Sequence, residues 1–346
     1  MRETRTELVR SNCHACDLVA TASGPVDGEN AIAFGPIPSR RLGRSLGINN
    51  IPAKTCSYSC VYCQLGRTTQ FITKRKPFYK SERILVQTQE KVGQCRAKGQ
   101  PIDYLTFVPD GEPTLDVNLG KEIEMLRPMG LRVAVLTNAS LIDRADVRED
   151  LAKADLVSLK VDAVSEPFWH KVNRPHRSLS LLSILEGTRD FSRSFKGELI
   201  SETMFIDGVN DSEEEISRIA EFLRDLELRT AYIAIPTRPP AEKSVRAPSE
   251  HVINLAYQVM SASLGRDRVE YLIGFEGDTF ASTGDVETDL LAITSVHPMR
   301  REAVEHLLKK ANADWDVVER LIEERKLIEI QHEGHAFYMR RIPSRN

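Results

Sequence analysis

Residues 55–66, TCSYSCVYCQLG, place Cys56, Cys60 and Cys63 within eight positions, half of the six cysteines in a chain of 346 residues. Disulfides, a zinc ion and an iron–sulfur cluster all crowd thiols in this way, and each predicts different company elsewhere in the chain. The amino-terminal segment MRETRTELVRSN has no apolar run of the export type, so a cytoplasmic location and reduced cysteines are expected. Clustered thiols in a reducing compartment point to metal binding or redox work.

Structural zinc takes four ligands in two spaced pairs, and no second pair follows Cys63 at a finger-like distance. A [4Fe–4S] cluster held by three cysteines leaves one iron without a protein ligand, open to chelation by a small molecule. Tyr62, one residue before the third cysteine, is an aromatic able to cover a cluster edge or stack on a planar ligand.

The surrounding chain has the patterning of an α/β enzyme. Composition is that of an ordinary globular protein, 41% hydrophobic and 28% charged. A formal net charge of −3 argues against a protein built to coat a polyanion. No apolar run is long enough to cross a bilayer, so no membrane partner is expected. From about Ser45 to Phe275, β-rich runs (SLGINNI, DYLTFVP, RVAVLTN, LVSLKVDA, ELISETMFI, AYIAIPT, VEYLIGF) alternate with helical segments such as 81–99, 116–130 and 212–228. Asp211 and Ser212 ahead of a glutamate run mark a capped helix start. The alternation predicts parallel strands with right-handed crossovers, arranged as a barrel, a partial barrel or an open sheet.

The domain expectation is an extension over 1–35, an α/β body over 36–280 and a small module over 285–346. The last comprises three short amphipathic helices and a β-hairpin turning at Glu333–Gly334, a winged-helix-like order.

Polar residues cluster where barrel enzymes place their chemistry, at the carboxyl ends of strands. DYLTFVP runs into Asp110-Gly111-Glu112-Pro113, and RVAVLT into Asn138. In LVSLKVDA, Leu156, Ser158, Lys160 and Asp162 share one face of a strand. Buried charge without partners is costly, so this stripe faces a polar interior, with Glu202 of the next strand a candidate for the same cavity. A structural pairing of Lys160 with Asp162 or Glu202 accounts for the same pattern.

CxxxCxxC with Tyr62 in its aromatic position resembles the radical S-adenosylmethionine superfamily. That resemblance implies a partial (β/α)6 barrel, a [4Fe–4S] cluster on Cys56, Cys60 and Cys63, and S-adenosylmethionine chelating the open iron. It further implies reductive cleavage to a 5′-deoxyadenosyl radical that abstracts hydrogen from substrate. Gly111, Glu112 and Pro113 resemble the motif that receives the amino group of S-adenosylmethionine. Asn138 resembles a ribose or carboxylate contact, and Ser158 with Lys160 resembles the cofactor-carboxylate site of glycyl-radical activating enzymes. The segments GEPTL, LTNASL, VSLKVDA and KVNRPH run parallel to the tRNA wyosine-base synthases. GPIPSRRLGRSLGINNIP, TRPPAE and the terminal module also match an uncharacterised prokaryotic iron–sulfur oxidoreductase group related to those synthases. The flavodoxin-like domain of the eukaryotic synthases is missing here, which implies an external electron donor such as flavodoxin or ferredoxin.

Arg40, Arg41, Asp162, Arg174, Glu202 and Arg238 are candidate substrate contacts, arginine suiting anionic groups. Cys13 and Cys16 are either part of a second metal site or two thiols in a tail, and the HEGH run at 332–335 lacks metalloprotease spacing.

Three functions follow. One is a radical enzyme acting on a small molecule or protein. A second is a tRNA-base-modifying enzyme of wyosine-synthase type, weakened because 314–327 carries five acidic against three basic residues. The third is a non-enzymatic, metal-containing winged-helix regulator.

Overall fold

The computed structural model describes residues 32–108, 110–273, 285–296, 298–332 and 334–341. Most of the expected extension, Cys13, Cys16, Glu333 and the end of the VEYLIGF run lie outside them. In chain order the body comprises β1 (Ala33–Ser39), β2 (Gly43–Ile48), β3 (Thr55–Cys56), β4 (Gln70–Phe71), α1 (Ser81–Ala97), β5 (Tyr104–Phe107), α2 (Leu119–Leu126), β6 (Arg132–Thr137), α3 (Ala145–Leu151), β7 (Leu156–Lys160), α4 (Glu166–Val172), α5 (Leu181–Ser194), β8 (Glu198–Met204), α6 (Glu213–Arg224), β9 (Thr230–Ala234), α7 (Glu250–Leu264) and β10 (Val269–Leu272).

Eight of these strands form one curled sheet in the order β1-β2-β5-β6-β7-β8-β9-β10. Every neighbouring pair is parallel except β1 with β2. This is the expected partial barrel, with β10 extending the parallel run and β1 added in front. The sequence reading left residues 32–35 in the extension, yet Ile32 and Phe34 are buried and β1 begins at Ala33. Pro36 and Pro38 break the alternation that would have marked a strand, and an edge strand is where proline is tolerated.

Strand alternation sorts the two faces. Outward residues such as Leu105, Phe107, Val133, Val135, Val157, Leu159, Leu199 and Ile233 pack under the helices in the main core. Inward residues Leu42, Tyr104, Ala134, Leu156, Ile200 and Tyr232 form a separate apolar plug at the amino-terminal ends of the strands. One step further along the same face come Ser158, Lys160 and Glu202, so the plug closes the floor and leaves a polar cavity above it.

The terminal module carries α8 (Val286–Val296), β11 (Met299–Arg300), α9 (Arg301–Lys310), α10 (Asp316–Glu323), β12 (Leu327–His332) and β13 (His335–Arg340), its strands ordered β11-β13-β12. It has its own core, including Leu290, Ile293, Val304, Leu307, Val318, Leu321 and Tyr338. Helix α8 joins it to the body: Ala292 packs on Phe34, and Lys91 Nζ of α1 lies 3.2 Å from Asp289 Oδ1. Among the described residues no helix is long and apolar enough to cross a membrane.

Candidate active site

The cysteine loop is held from two sides by main chain. On one side Lys54 N donates to the Asp110 carbonyl at 2.5 Å, and Glu112 N donates to the Thr55 carbonyl at 3.0 Å. A Cβ on Gly111 would stand 1.8 Å from that Thr55 oxygen, so close backbone approach, not flexibility, is why glycine is required there. On the other side the segment after α4 runs alongside. Ser59 N donates to the Asn173 carbonyl at 3.0 Å, Val61 N to Val172 at 2.9 Å, and His176 N to Ser57 at 2.9 Å.

Cys56, Cys60 and Cys63 are free, half-buried thiols on the wall of a cavity of about 320 Å³. Burial, then the neighbouring Cys60, pushes the Cys56 thiol well up. Burial and Asp162 push Cys60 up to about 12, and burial raises Cys63. N–H donors oppose this. Tyr58 N and Asn138 Nδ2 each lie 3.4 Å from Cys56 Sγ, and Asn173 Nδ2 lies 3.5 Å from Cys60 Sγ. Donors aimed at sulfur are what thiolate ligands need. Among the described residues no three His, Cys, Asp or Glu side chains gather around a point the size of one ion.

Glu112 is fully buried. Its Oε1 accepts from Thr114 N at 3.1 Å and from the Thr114 and Thr137 hydroxyls at 2.6 Å each, and its Oε2 accepts from Asn138 N at 2.7 Å. Burial raises its pKa against these donors. Asn138 sits between the motifs: besides its contact with Cys56, its amide reaches Ser57 Oγ at 3.1 Å, and its own Oδ1 accepts from Ser140 N at 2.9 Å.

An ionic chain lines the same cavity. Lys160 Nζ donates to Glu202 Oε1 at 2.6 Å, lies 3.6 Å from Asp162 Oδ1, and stands 4.9 Å from the centre of the Tyr62 ring. Arg41 donates to the other Glu202 oxygen. Burial alone would raise the Glu202 pKa, but Lys160 and Arg41 outweigh it and hold it at about 2. Desolvation likewise acts to lower Lys160, and Asp162 and Glu202 overcome it and raise its pKa.

The structure therefore brings Cys56, Cys60, Tyr62, Cys63, Gly111, Glu112, Asn138, Ser158, Lys160, Arg41, Glu202 and Arg238 to one cavity. Other candidates lie elsewhere. Pro113 is buried at the start of a short helical turn behind Glu112. Asp162 is sealed beneath the wall, taking hydrogen bonds from the Tyr62 hydroxyl, Asn173 Nδ2 and Met204 N. Arg40 is exposed and donates to the Ile273 carbonyl, and Arg174 pairs with Glu242 at 2.6 Å. None of these three reaches the cavity as a substrate contact would. The sequence reading noted Asp110 in the strand-end motif and Asn173 in the NRPH loop without giving either a role of its own, and it passed over Lys54 and Glu215. The last turns inward from α6, and its Oε1 accepts from Val164 N at 2.8 Å, fixing the loop after β7.

The profile of the radical SAM superfamily matches residues 50–223, from the cysteine loop through α6. The chain belongs to the radical SAM superfamily. Among its relatives, the UPF0026 protein MJ1312 of Methanocaldococcus jannaschii is 49% identical over 91% of this chain and 98% of that one. A UPF0026 protein of Helicobacter pylori is 31% identical over 78% of this chain and 86% of its own. A radical SAM methyltransferase from Sphaerobacter thermophilus shares the fold, with a TM-score of 0.51 and 19% identity over 66% of this chain and 67% of that one. Radical SAM proteins are enzymes that hold a [4Fe–4S] cluster and S-adenosylmethionine and draw on an external electron donor, and these are this chain's cofactors. The donor set fits them: three thiols with N–H donors at two sulfurs, beside a cavity with room for a nucleoside-sized ligand. Membership of this superfamily removes the reading as a non-enzymatic regulator.

Proposed function

We propose that this chain cleaves S-adenosylmethionine reductively to methionine and a 5′-deoxyadenosyl radical, which takes a hydrogen atom from a small-molecule or protein substrate. The observation that carries this reading is the shared cavity, lined together by three thiols, strand-end polar groups and an ionic chain. In it Cys56, Cys60 and Cys63 hold the cluster, which supplies the electron for cleavage when bound. Tyr62, Gly111, Glu112, Asn138, Ser158 and Lys160 frame the S-adenosylmethionine site, and Pro113 shapes the turn behind it. Arg41, Glu202 and Arg238 form the substrate side. Tyr62, pinned through its hydroxyl to Asp162, helps keep water from the reacting groups. The donor is a separate flavodoxin- or ferredoxin-like protein, and the location is cytoplasmic.

A small-molecule or protein substrate is favoured over tRNA by the terminal module, which we read as winged-helix-like. Arg320 of α10 pairs with Glu287 of α8 at 2.8 Å, and Lys326 pairs with the same carboxylate at 3.2 Å. Cations already neutralised within the module contribute little to phosphate binding.

The test is anaerobic reconstitution followed by reduction in the presence of S-adenosylmethionine. Wild type yields 5′-deoxyadenosine and methionine, and Cys60→Ala yields neither. Nucleoside release by the Cys60→Ala protein at the wild-type rate, or one zinc and no iron in the purified chain, overturns the reading. A gel shift of total tRNA at low salt would move the substrate class to RNA.

A further inference from the structure

The short strand β4 runs beside the cysteine loop. Phe71 of β4 is the parallel register partner of Cys56, and Ile72 N donates to the Cys56 carbonyl at 3.1 Å. Paired strands lie about 4.8 Å apart, so Phe71 is one strand spacing from the main chain of a candidate cluster ligand. Yet its ring is 40% exposed and does not line the cavity.

The charge around this ring has one sign. Residues 54–80 hold six lysines and arginines and 170–180 hold three, and neither stretch contains an aspartate or glutamate, in a chain whose net charge is −3. Two contacts besides the main-chain pairing bring the stretches together. The Phe71 and His176 rings meet edge-on with centres 5.1 Å apart, and the Thr73 and Ser178 hydroxyls lie 3.1 Å from one another. Some of the cations are taken: Arg75 is buried against Asp146 and Asp150, and Arg67 and Arg174 share Glu242. Lys74 and Arg177, next in sequence to Thr73 and His176, are exposed and form no ion pair among the described residues.

We propose that this junction, with Phe71 at its centre and Lys74 and Arg177 beside it, is where the external electron donor docks, and that the donor presents a carboxylate-rich surface around its redox group. The assignment rests on the proposed cluster at Cys56, Cys60 and Cys63. In each encounter the donor's flavin or cluster is oxidised by one electron and the cluster of this chain is reduced by one, with no atom transferred. Electron-transfer encounters are small and weak, and opposite charge supplies their steering. Electron transfer also falls steeply with distance. That favours a donor over RNA here, because the junction adjoins a cluster ligand and lies outside the cavity where a base would react.

Binding is read first, without turnover. Oxidised flavodoxin and a bacterial two-cluster ferredoxin, both acidic proteins, are titrated against reconstituted protein at low salt, and a carbodiimide then joins lysines to apposed carboxylates. Wild type is expected to bind at least one of the two, with Lys74 in the crosslinked peptide. Lys74→Glu/Arg177→Glu should weaken that binding by about tenfold or more, and added salt should weaken wild type more than the variant. In turnover the variant should need more reduced donor for half-maximal 5′-deoxyadenosine formation, and should match wild type with dithionite, a small reductant that needs no docking. The assignment fails if neither acidic protein binds wild type, if the variant binds as wild type does, or if dithionite-driven turnover falls equally. Lys74-dependent binding of total tRNA without binding of either donor gives the patch to RNA and overturns it as well. A wild-type protein with full iron that forms no 5′-deoxyadenosine with dithionite overturns the proposed function instead, a result independent of the crosslink at Lys74.

Discussion

Gly111 lies under Thr55 so closely that any side chain at residue 111 would collide with the Thr55 carbonyl oxygen, at 1.8 Å from an ideal Cβ. The collision is with backbone, which has no rotamer by which to escape. Gly111→Ala must therefore push the strand-end turn away from the cysteine loop and break the Glu112 N–H bond to Thr55. Overpacking of this kind costs about 1–3 kcal/mol or more. The expected outcome is a lower unfolding temperature and impaired iron incorporation after reconstitution. An alanine variant with wild-type iron content would show that the two segments separate without consequence.

Lys160 and Glu202 are register partners on β7 and β8 as well as ion-pair partners, so the strands deliver the pair to one place. Truncating one member of a buried pair costs about 3–5 kcal/mol, because the other charge stays behind. Lys160→Met should fall below that range in denaturant unfolding, because Arg41 still pairs with Glu202, and the Lys160→Met/Glu202→Leu double variant should lose less than the sum of the singles. The pH dependence has a definite sign. Glu202 falls from an ordinary 4.5 to about 2 in the folded chain. Its contribution is complete above the ordinary value and disappears as pH falls through about 2. Wild type should thus lose stability over that acid window more steeply than Glu202→Gln, whose curve lacks this component.

The fold and most of the cavity were legible in the sequence because both follow from short-range pattern. Alternation in LVSLKVDA placed Ser158 and Lys160 inward, and the strand register turned that stripe into the Lys160–Glu202 pair. Loop geometry was not legible. Asp162 sits past the last strand residue of β7, where alternation no longer fixes direction, and it turns under Tyr62 and Asn173 instead of into the cavity. The NRPH segment read as an anion loop from its arginine, while its role is carried by main chain that pairs with the cysteine loop. Glu112 drew attention as the motif carboxylate, and nothing local to the sequence announced that Thr137, 25 residues later, would occupy it.

Lys91 and Asp289 form a buried ion pair between α1 of the body and α8 of the terminal module. Lys91→Met should destabilise the chain by removing the α1 partner of the Asp289 carboxylate, and Lys91→Met/Asp289→Leu should recover part of the loss. If the pair also fastens the module, Lys91→Met should increase amide hydrogen exchange along β1, where Phe34 packs on Ala292, more than along β7. Equal exchange changes in both strands would place the effect in global unfolding instead.

Asn173 spans two parts of the site with one amide, its Nδ2 lying 3.5 Å from Cys60 Sγ and 2.8 Å from Asp162 Oδ2. Hydrogen bonds to ligating sulfur stabilise the more negative, reduced state of a cluster and so raise its reduction potential. Asn173→Leu keeps the approximate shape and removes both donors. Under the proposed function it should shift the cluster to a lower potential, read by an EPR-monitored redox titration of the reconstituted protein. It should also cost about 1–3 kcal/mol, because the buried Asp162 oxygen loses a partner. Asn173→Asp at low pH, where a protonated acid regains one donor, should restore part of the potential. A potential unchanged in Asn173→Leu, with iron content and fold intact, would mean that the Asn173 amide serves Asp162 alone.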